Sequence, residues 1–313
     1  MANLSIEIIK AARPIHWIKN LSLFAAIFLT SNLFNPNLFI TVIFAFISFN
    51  FVASASYIFN DIVDADKDRK HPVKKYRPIA SGKLPIPIAI TEIVLLLFLA
   101  FLFSAPLNNL FHLALVAYFL LQVLYSLFLK NISTLDILTI AFGFVIRIYA
   151  GAFGINAHLS VWFLLCVIST ALFLASGKRR SELNIPESVS GATRQALSKY
   201  SRELLNSYVT MFGNAAWLSW SLFSFFESPK ASLGVWLFLA EISKATTVDK
   251  LLMSTIPVTI YAIMRYESLI FEDKSEAPEK VLLTDKGLMT SLLLWLFFVY
   301  WVFYKAVIYT PSF

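Results

Sequence analysis

Apolar residues gather into nine long runs, at 18–34, 38–59, 86–105, 108–129, 134–153, 159–177, 204–226, 251–271 and 288–308, with shorter polar stretches between most of them. A membrane-crossing α-helix needs about 20 mostly apolar residues at 1.5 Å rise each. The nine runs therefore predict nine transmembrane helices. None alternates polar and apolar positions over ten residues, which argues against an outer-membrane β-barrel. The stretch 231–247 (ASLGVWLFLAEISKATT) is too short and too polar to span and is expected to form an interfacial or loop helix. No cleavable signal peptide is expected, because Arg13, Trp17, Lys19 and Asn20 stand at the start of the first run and no cleavage site follows.

Composition sharpens the class. Apolar residues make up 58% of the 313 positions and charged residues only 14%, against roughly 45–50% and about 25% in soluble domains. Mean hydropathy is +0.72. The expected fold is thus all-α, a polytopic membrane helical bundle in one domain over 1–313. Thirty Phe against nine Gly and twelve Pro exclude collagen-like or low-complexity organisation. A lone cysteine, Cys166, excludes a disulfide framework and a Cys-based zinc site, and four scattered histidines make a His-rich metal site improbable.

Charge orients the spans. Most of the 26 Lys and Arg residues sit at the chain start (Lys10, Arg13, Lys19) and in the alternate loops 60–85, 178–203 and 272–287, with Lys130 on the same side. The positive-inside rule then puts the N-terminus in the cytoplasm and the C-terminus outside, in an inner (plasma) membrane. The net charge of +7 is mainly this topology signal, with attraction to anionic membrane lipids second. It does not point to nucleic acid.

The loop after the second run reads Asn60-Asp61-Ile62-Val63-Asp64-Ala65-Asp66-Lys67-Asp68-Arg69. On a continuous helix Asp61, Asp64 and Asp68 share one face, with Asn60 beside them. Neighbouring like charges repel unless something neutralises them. Two readings follow: a solvated helix end whose acids pair with Lys67, Arg69 and Lys70, or a hard-oxygen site for Mg²⁺, which takes one or two carboxylates and fills its shell with water and phosphate oxygens. The cluster ends a span where it meets water, and Asn60 extends it, which favours the metal. A basic run follows, through Arg77 and on to Pro78-Ile79-Ala80-Ser81-Gly82-Lys83. Arg77 is expected to bind phosphate or anchor the loop, and His71, next to Pro72, to be structural.

The stretch Tyr57-Ile58-Phe59-Asn60-Asp61-xx-Asp64-xxx-Asp68, followed by Arg77-Pro78-Ile79-Ala80-Ser81-Gly82, resembles the first signature of the UbiA-type intramembrane prenyltransferase superfamily, and the resemblance extends over essentially the whole chain. It implies that Asp61, Asp64 and Asp68 are catalytic metal ligands that hold Mg²⁺ and a diphosphate at a cytoplasmic active site. Typical members carry a second Asp-rich motif in a later loop. Here that loop reads Ser176-Gly177-Lys178-Arg179-Arg180-Ser181-Glu182, with cations where acids are expected. A basic half-site suits ligands with phosphate at more than one end.

One branch, the decaprenyl-phosphate phosphoribosyltransferases, is similar in this and in further segments: Arg13 to Asn20 with Lys19, Tyr125 to Lys130, Asp136 with Gly143-Phe144 and Arg147, the Lys178-Arg179 block with Glu182, and Pro278-Glu279 with Leu282-Leu283 and Asp285. The resemblance implies transfer of a 5-phosphoribosyl group from its 1-diphosphate to a polyprenyl phosphate, with Lys19, Asn60, Arg77, Tyr125, Lys130, Asp136, Arg147, Lys178, Arg179 and Glu182 as substrate-binding residues. The partners are then a diphosphate donor, a lipid-linked phosphate acceptor and membrane lipids. The alternative within the superfamily is prenyl transfer to an aromatic acceptor such as 4-hydroxybenzoate. A transporter of phosphorylated metabolites fits less well, since no convincing repeat is visible.

Arg147 lies near the middle of its span, where a charged side chain costs at least about 2.5–3.5 kcal/mol. Asp136 is eleven residues earlier, roughly 16 Å along a helix, too far to pair. Arg147 must therefore meet an acid from another helix, a ligand phosphate or a polar cavity. Arg265, near a span end, can snorkel.

Overall fold

The computed structural model describes residues 2–183, 199–229, 250–271, 281 and 284–306, and among them every regular element is helical. The helices are α1 (Ala2–Ala12), α2 (Ala25–Leu29), α3 (Pro36–Val63), α4 (Ala65–Lys70), α5 (Ile86–Ser104), α6 (Asn109–Leu127), α7 (Leu135–Gly154), α8 (Val161–Glu182), α9 (Arg202–Phe226), α10 (Ile256–Phe271) and α11 (Lys286–Tyr304). The expected interfacial helix at 231–247 and the segments around Arg194 and Pro278 to Leu283, except Val281, lie outside the described residues. Starts are capped by side chains that take up otherwise orphaned N–H groups. Asn35 accepts from the Asn37 and Leu38 amides ahead of α3, Asn108 from Phe111 ahead of α6, and Ser160 from Phe163 ahead of α8.

Among the described residues six helices, α3, α5, α6, α7, α8 and α11, are long and apolar enough to cross a membrane. The other expected spans take different forms. The run at 204–226 lies in α9, a continuous 25-residue helix that also carries Asn206, Asn214 and several Ser, and the run at 251–271 forms a 3₁₀ turn, Leu251–Thr255, that leads into the 16-residue α10. The run at 18–34 is not one α-helix. It divides into a 3₁₀ segment, Pro14–Phe24, and the five-residue α2. Eleven residues of 3₁₀ helix are unusual, since that geometry rarely lasts beyond four. Tertiary contact accounts for it: a Cβ added at Gly151 on α7 would lie 2.0 Å from the Leu23 carbonyl oxygen, so this segment runs directly against the α7 backbone.

The chain divides into two compact units. The first comprises Met1–Phe28, Asn32–His158 and Ile185–Ser201. Its core joins Leu23, Phe49, Phe111, Leu115 and Tyr118 with Ala45, Ala53, Ala100 and Ala150; small residues let helix backbones approach closely where lipid supplies no hydrophobic drive between helices. Ile90, Val94, Leu95, Phe98 and Leu102 of α5 stay exposed, an apolar face suited to acyl chains. A second cluster, of Ala11, Ile58, Ala65, Ile79, Leu84 and Ala89, ties α1, α4 and the loop before α5 to α3. The second unit comprises Leu29–Ser31, Leu159–Asn184 and Arg202–Phe313. Its core is Phe173, Val209, Tyr266, Leu269, Ile270, Val281 and Leu288.

Candidate functional site

The acidic motif sits where α3 ends. At 28 residues, α3 is longer than the ~20 needed to cross a bilayer, so its last turns can carry Asn60 and Asp61 beyond the hydrocarbon. The helix stops at Val63, Asp64 leaves helical geometry with φ −93° and ψ 1°, and α4 restarts at Ala65. Asp61, Asp64 and Asp68 therefore do not form the single helical face that spacing alone predicts.

With Asn60 they fall into two pairs, each with a cationic nitrogen between its members. Arg77 Nη1 lies 3.0 Å from Asp61 Oδ1 and 2.6 Å from Asp68 Oδ2. Lys130 Nζ lies 3.2 Å from Asn60 Oδ1 and 2.6 Å from Asp64 Oδ1. In each pair one cationic nitrogen stands between two oxygen ligands. Asp61 has a second partner: Arg13 Nη2 reaches its two oxygens at 2.5 and 2.7 Å. Neither Lys67, Lys70 nor Arg69 neutralises this trio. Arg69 pairs with Asp66, and Lys67 and Lys70 are exposed.

Local structure explains each cation's position. Arg13, in left-handed geometry (φ 51°, ψ 60°), makes the corner between α1 and the 3₁₀ segment. Ser54 pins that corner by donating to the Ala12 carbonyl and accepting from Trp17 Nε1. Ser54, Tyr57 and Asp61 lie on one face of α3, and the Arg13 guanidinium sits 5.6 Å from the Tyr57 ring centre. Arg77 opens a compact turn in which the Ser81 amide donates to Arg77 and the Leu84 amide to Pro78. Gly82 closes that turn at φ 76°, where glycine carries no Cβ penalty, while Ile79 and Leu84 plug into the core. Lys130 belongs to a short 3₁₀ turn after α6 and is 4% exposed.

Burial pushes the Asp68 carboxyl above its ordinary value and Asp61 adds to the rise, while Arg77 and Lys74 oppose it. Burial and Lys74 lower His71. Its Nδ1 accepts from the Val73 and Lys74 amides, a neutral acceptor that holds the loop, consistent with a structural role.

Among the described residues no three His, Cys, Asp or Glu side chains converge as a ready-made metal site. The donor chemistry nevertheless fits Mg²⁺. The available atoms are hard oxygens, grouped two by two around a cation, and Mg²⁺ characteristically uses one or two carboxylates plus substrate phosphates.

Arg147 forms a second polar centre in the same unit, and it contains no carboxylate. Its Nε donates to Asn20 Oδ1 (2.7 Å), Nη1 to the Gly143 carbonyl (2.9 Å) and Nη2 to the Tyr118 hydroxyl (2.6 Å). The guanidinium also lies over the Tyr118 and Phe144 rings. Asn20 is held in turn by donating to Asn50 Oδ1 at 2.6 Å. The partners that the structure shows are neutral groups of the chain itself rather than an acid from another helix.

The remaining expected site residues are placed as follows. Lys19 and Tyr125 are half-buried on the 3₁₀ segment and α6. Asp136 is buried on α7 and accepts from the Tyr200 hydroxyl, which itself accepts from the Thr134 amide. In the second unit Lys178 is half-buried, and Arg179, 1% exposed, donates to Glu182 at 2.7 Å. Arg180 donates to Asn206 and lies over Phe271. Arg265 bonds Asp285 through two nitrogens, at 3.1 and 2.7 Å, at the start of α11.

Sequence reasoning did not single out Arg13, Asn20, Tyr118 or Tyr200 for these contacts. A signal existed for Asn20 and Tyr118, since polar groups inside apolar runs need partners. None existed for pairing Arg13 with a residue 48 positions away.

Residues 21–177 match the model of the UbiA prenyltransferase family. The chain is 35% identical to a decaprenyl-phosphate phosphoribosyltransferase of Corynebacterium glutamicum, over 94% of this chain and 86% of that protein. It is 31% identical to the enzyme of that name from Mycobacterium tuberculosis, over 94% and 93%. Among solved structures, a UbiA homolog from Archaeoglobus fulgidus bound to GPP and Mg²⁺ shares its fold with a TM-score of 0.67 at 16% identity, covering 95% of this chain and 99% of that one.

Proposed function

The chain belongs to the UbiA prenyltransferase family, and on that premise we propose that it transfers a 5-phosphoribosyl group from 5-phosphoribosyl 1-diphosphate to a polyprenyl phosphate, of decaprenyl type, releasing diphosphate. The observation that carries this reading is the near full-length likeness to relatives named for that activity. The chain is an integral membrane protein, with six helices among the described residues long and apolar enough to span. In the proposed topology the acidic site and the N-terminus face the cytoplasm, and the C-terminus lies outside the inner membrane.

The donor's diphosphate binds at Asn60, Asp61, Asp64 and Asp68. These oxygens would hold Mg²⁺, which would supply charge neutralisation to the leaving group. Arg77 and Lys130, which lie at these carboxylates, stabilise the charge that grows as diphosphate departs. The anomeric C–O bond breaks with its electron pair leaving on diphosphate, and an oxygen of the lipid phosphate forms the new bond from the opposite face, with inversion. That oxygen is already anionic at pH 7, so no general base is required. Lys19, Tyr125, Asp136, Arg147, Lys178, Arg179 and Glu182 complete the proposed substrate-binding set. Lys178 and Arg179 bear on the donor's 5-phosphate or the lipid phosphate, a role that rests on the charge reversal in their loop.

The test compares donors on the purified, detergent-solubilised chain with MgCl₂. Labelled 5-phosphoribosyl 1-diphosphate with polyprenyl phosphate is set beside labelled isoprenyl diphosphate with 4-hydroxybenzoate, each with an EDTA control. EDTA-sensitive label in a lipid-phosphate product is expected. Label in a prenylated aromatic instead overturns the reading in favour of prenyl transfer.

A further inference from the structure

The carboxylates of the acidic motif are matched, charge for charge, by cations of the chain. Asp61 meets Arg13 and Arg77, Asp68 shares Arg77, and Asp64 meets Lys130. Asp61 is 2% exposed, Asp68 5% and Lys130 4%, so solvent screens these three charges little, while the side chains of Asp64, Arg13 and Arg77 are 15%, 21% and 26% exposed. A free divalent cation entering this neutral, largely buried group would leave uncompensated positive charge, which is costly to bury. It would also have to compete for oxygens that already hold short ionic hydrogen bonds. A divalent cation arriving with a diphosphate faces neither obstacle, because the anion cancels its charge and offers the displaced cations new oxygens.

We infer that Arg77 and Lys130 act as resident counter-ions that close the acidic site to free metal, so that Mg²⁺ and the donor's diphosphate load together while these two nitrogens pass from carboxylate to phosphate oxygens. The geometry singles them out. Each places one nitrogen between two oxygen-bearing residues, Arg77 between Asp61 and Asp68 and Lys130 between Asn60 and Asp64, the position a bridging cation takes. Arg13 instead holds both oxygens of a single carboxylate and remains as its anchor. The inference rests on the proposed Mg²⁺–diphosphate site and adds how that site is filled and which residues govern it. By linkage, if diphosphate strengthens metal binding, metal strengthens diphosphate binding by the same factor.

The test is equilibrium dialysis of the detergent-solubilised full chain against Mn²⁺, as a Mg²⁺ surrogate, with and without inorganic diphosphate, measuring retained metal and retained phosphorus. Wild type is expected to retain Mn²⁺ at least about tenfold more weakly without diphosphate than with it. Arg77→Gln is expected to bind Mn²⁺ alone several-fold more tightly than wild type and to lose a matching part of the coupling. Lys130→Gln should behave alike and serves if Arg77→Gln does not fold. Lys70→Gln, which removes an exposed cation of the same loop, should leave Mn²⁺ retention unchanged. Equal retention of Mn²⁺ by wild type with and without diphosphate overturns the inference. So does weaker metal binding by Arg77→Gln, which would mark Arg77 as a support for the ligands, or an equal gain from Lys70→Gln, which would mark bulk loop charge. In each of those outcomes the site itself survives, provided that Asp61→Asn abolishes retention. No retention under any condition overturns the Mg²⁺–diphosphate reading and the inference together.

Discussion

Two charged centres in the first unit solve the same electrostatic problem in opposite ways. At the end of α3, buried carboxylates are matched by cations from three other segments. Around Arg147, a buried cation is held by a carbonyl, an amide oxygen, a hydroxyl and two aromatic faces, with no acid in the network. Ion pairs can be exchanged for other charges, such as metal and phosphate, at modest net cost. Asn20 and Tyr118, fixed on the 3₁₀ segment and α6, stay in place and tie those segments to α7. The difference suits the first centre to exchanging partners and the second to holding one guanidinium in a fixed position.

The largest expected effect tests the first centre. Asp61→Asn removes the carboxylate that both guanidiniums hold, and phosphoribosyl transfer should fall about 10²-fold or more in initial-rate measurements. At the second centre, Arg147→Met leaves Asn20 Oδ1 and the Tyr118 hydroxyl without the donor they have here, at about 1–3 kcal/mol per orphaned buried group, while the Gly143 carbonyl keeps its helical amide donor. Thermal unfolding in detergent should show that loss. Unchanged stability with lost activity would show that the guanidinium serves its ligand without holding the helices, and would break the comparison. Gly151→Ala probes the packing that brings Asn20 to Arg147. The added methyl meets the Leu23 carbonyl, and overpacking of this kind costs about 1–3 kcal/mol.

The smallest effect concerns an ion pair near the surface. The Arg265 guanidinium, followed by the Leu288 amide, holds the Asp285 carboxyl below its ordinary value. A depressed carboxylate stabilises the fold above its unfolded pKa, and that contribution disappears as pH falls through the lower folded value. Asp285→Asn should therefore lower the melting temperature slightly at neutral pH. The gap to wild type should close only at pH below the ordinary carboxylate range.

Much of this was legible along the chain. The need for an unbroken backbone hydrogen-bond ladder in lipid makes long apolar runs helical, and the runs that became α3, α5, α6, α7, α8 and α11 show it. The run at 18–34 is helical too over most of its length, but as a 3₁₀ segment followed by the short α2, where the chain passes close against Gly151. The motif from Asn60 to Asp68 marked the acidic site, and Arg77 and Lys130 were both expected near phosphate. Their grip on the acids was not expected, since periodicity placed all three carboxylates on a helix that in fact breaks at Asp64.

What the sequence by itself determined is what depends on neighbours along the chain: apolar length, and hence helices, and the grouping of Asn60, Asp61, Asp64 and Asp68 within nine residues. Which charge meets which was decided by the tertiary structure alone. Arg13 reaches Asp61 across 48 positions, Lys130 reaches Asp64 across 66, and Arg147 reaches Asn20 across 127. Electrostatic pairing depends on distance through space and on the dielectric around each group, and neither is set until the helices have packed.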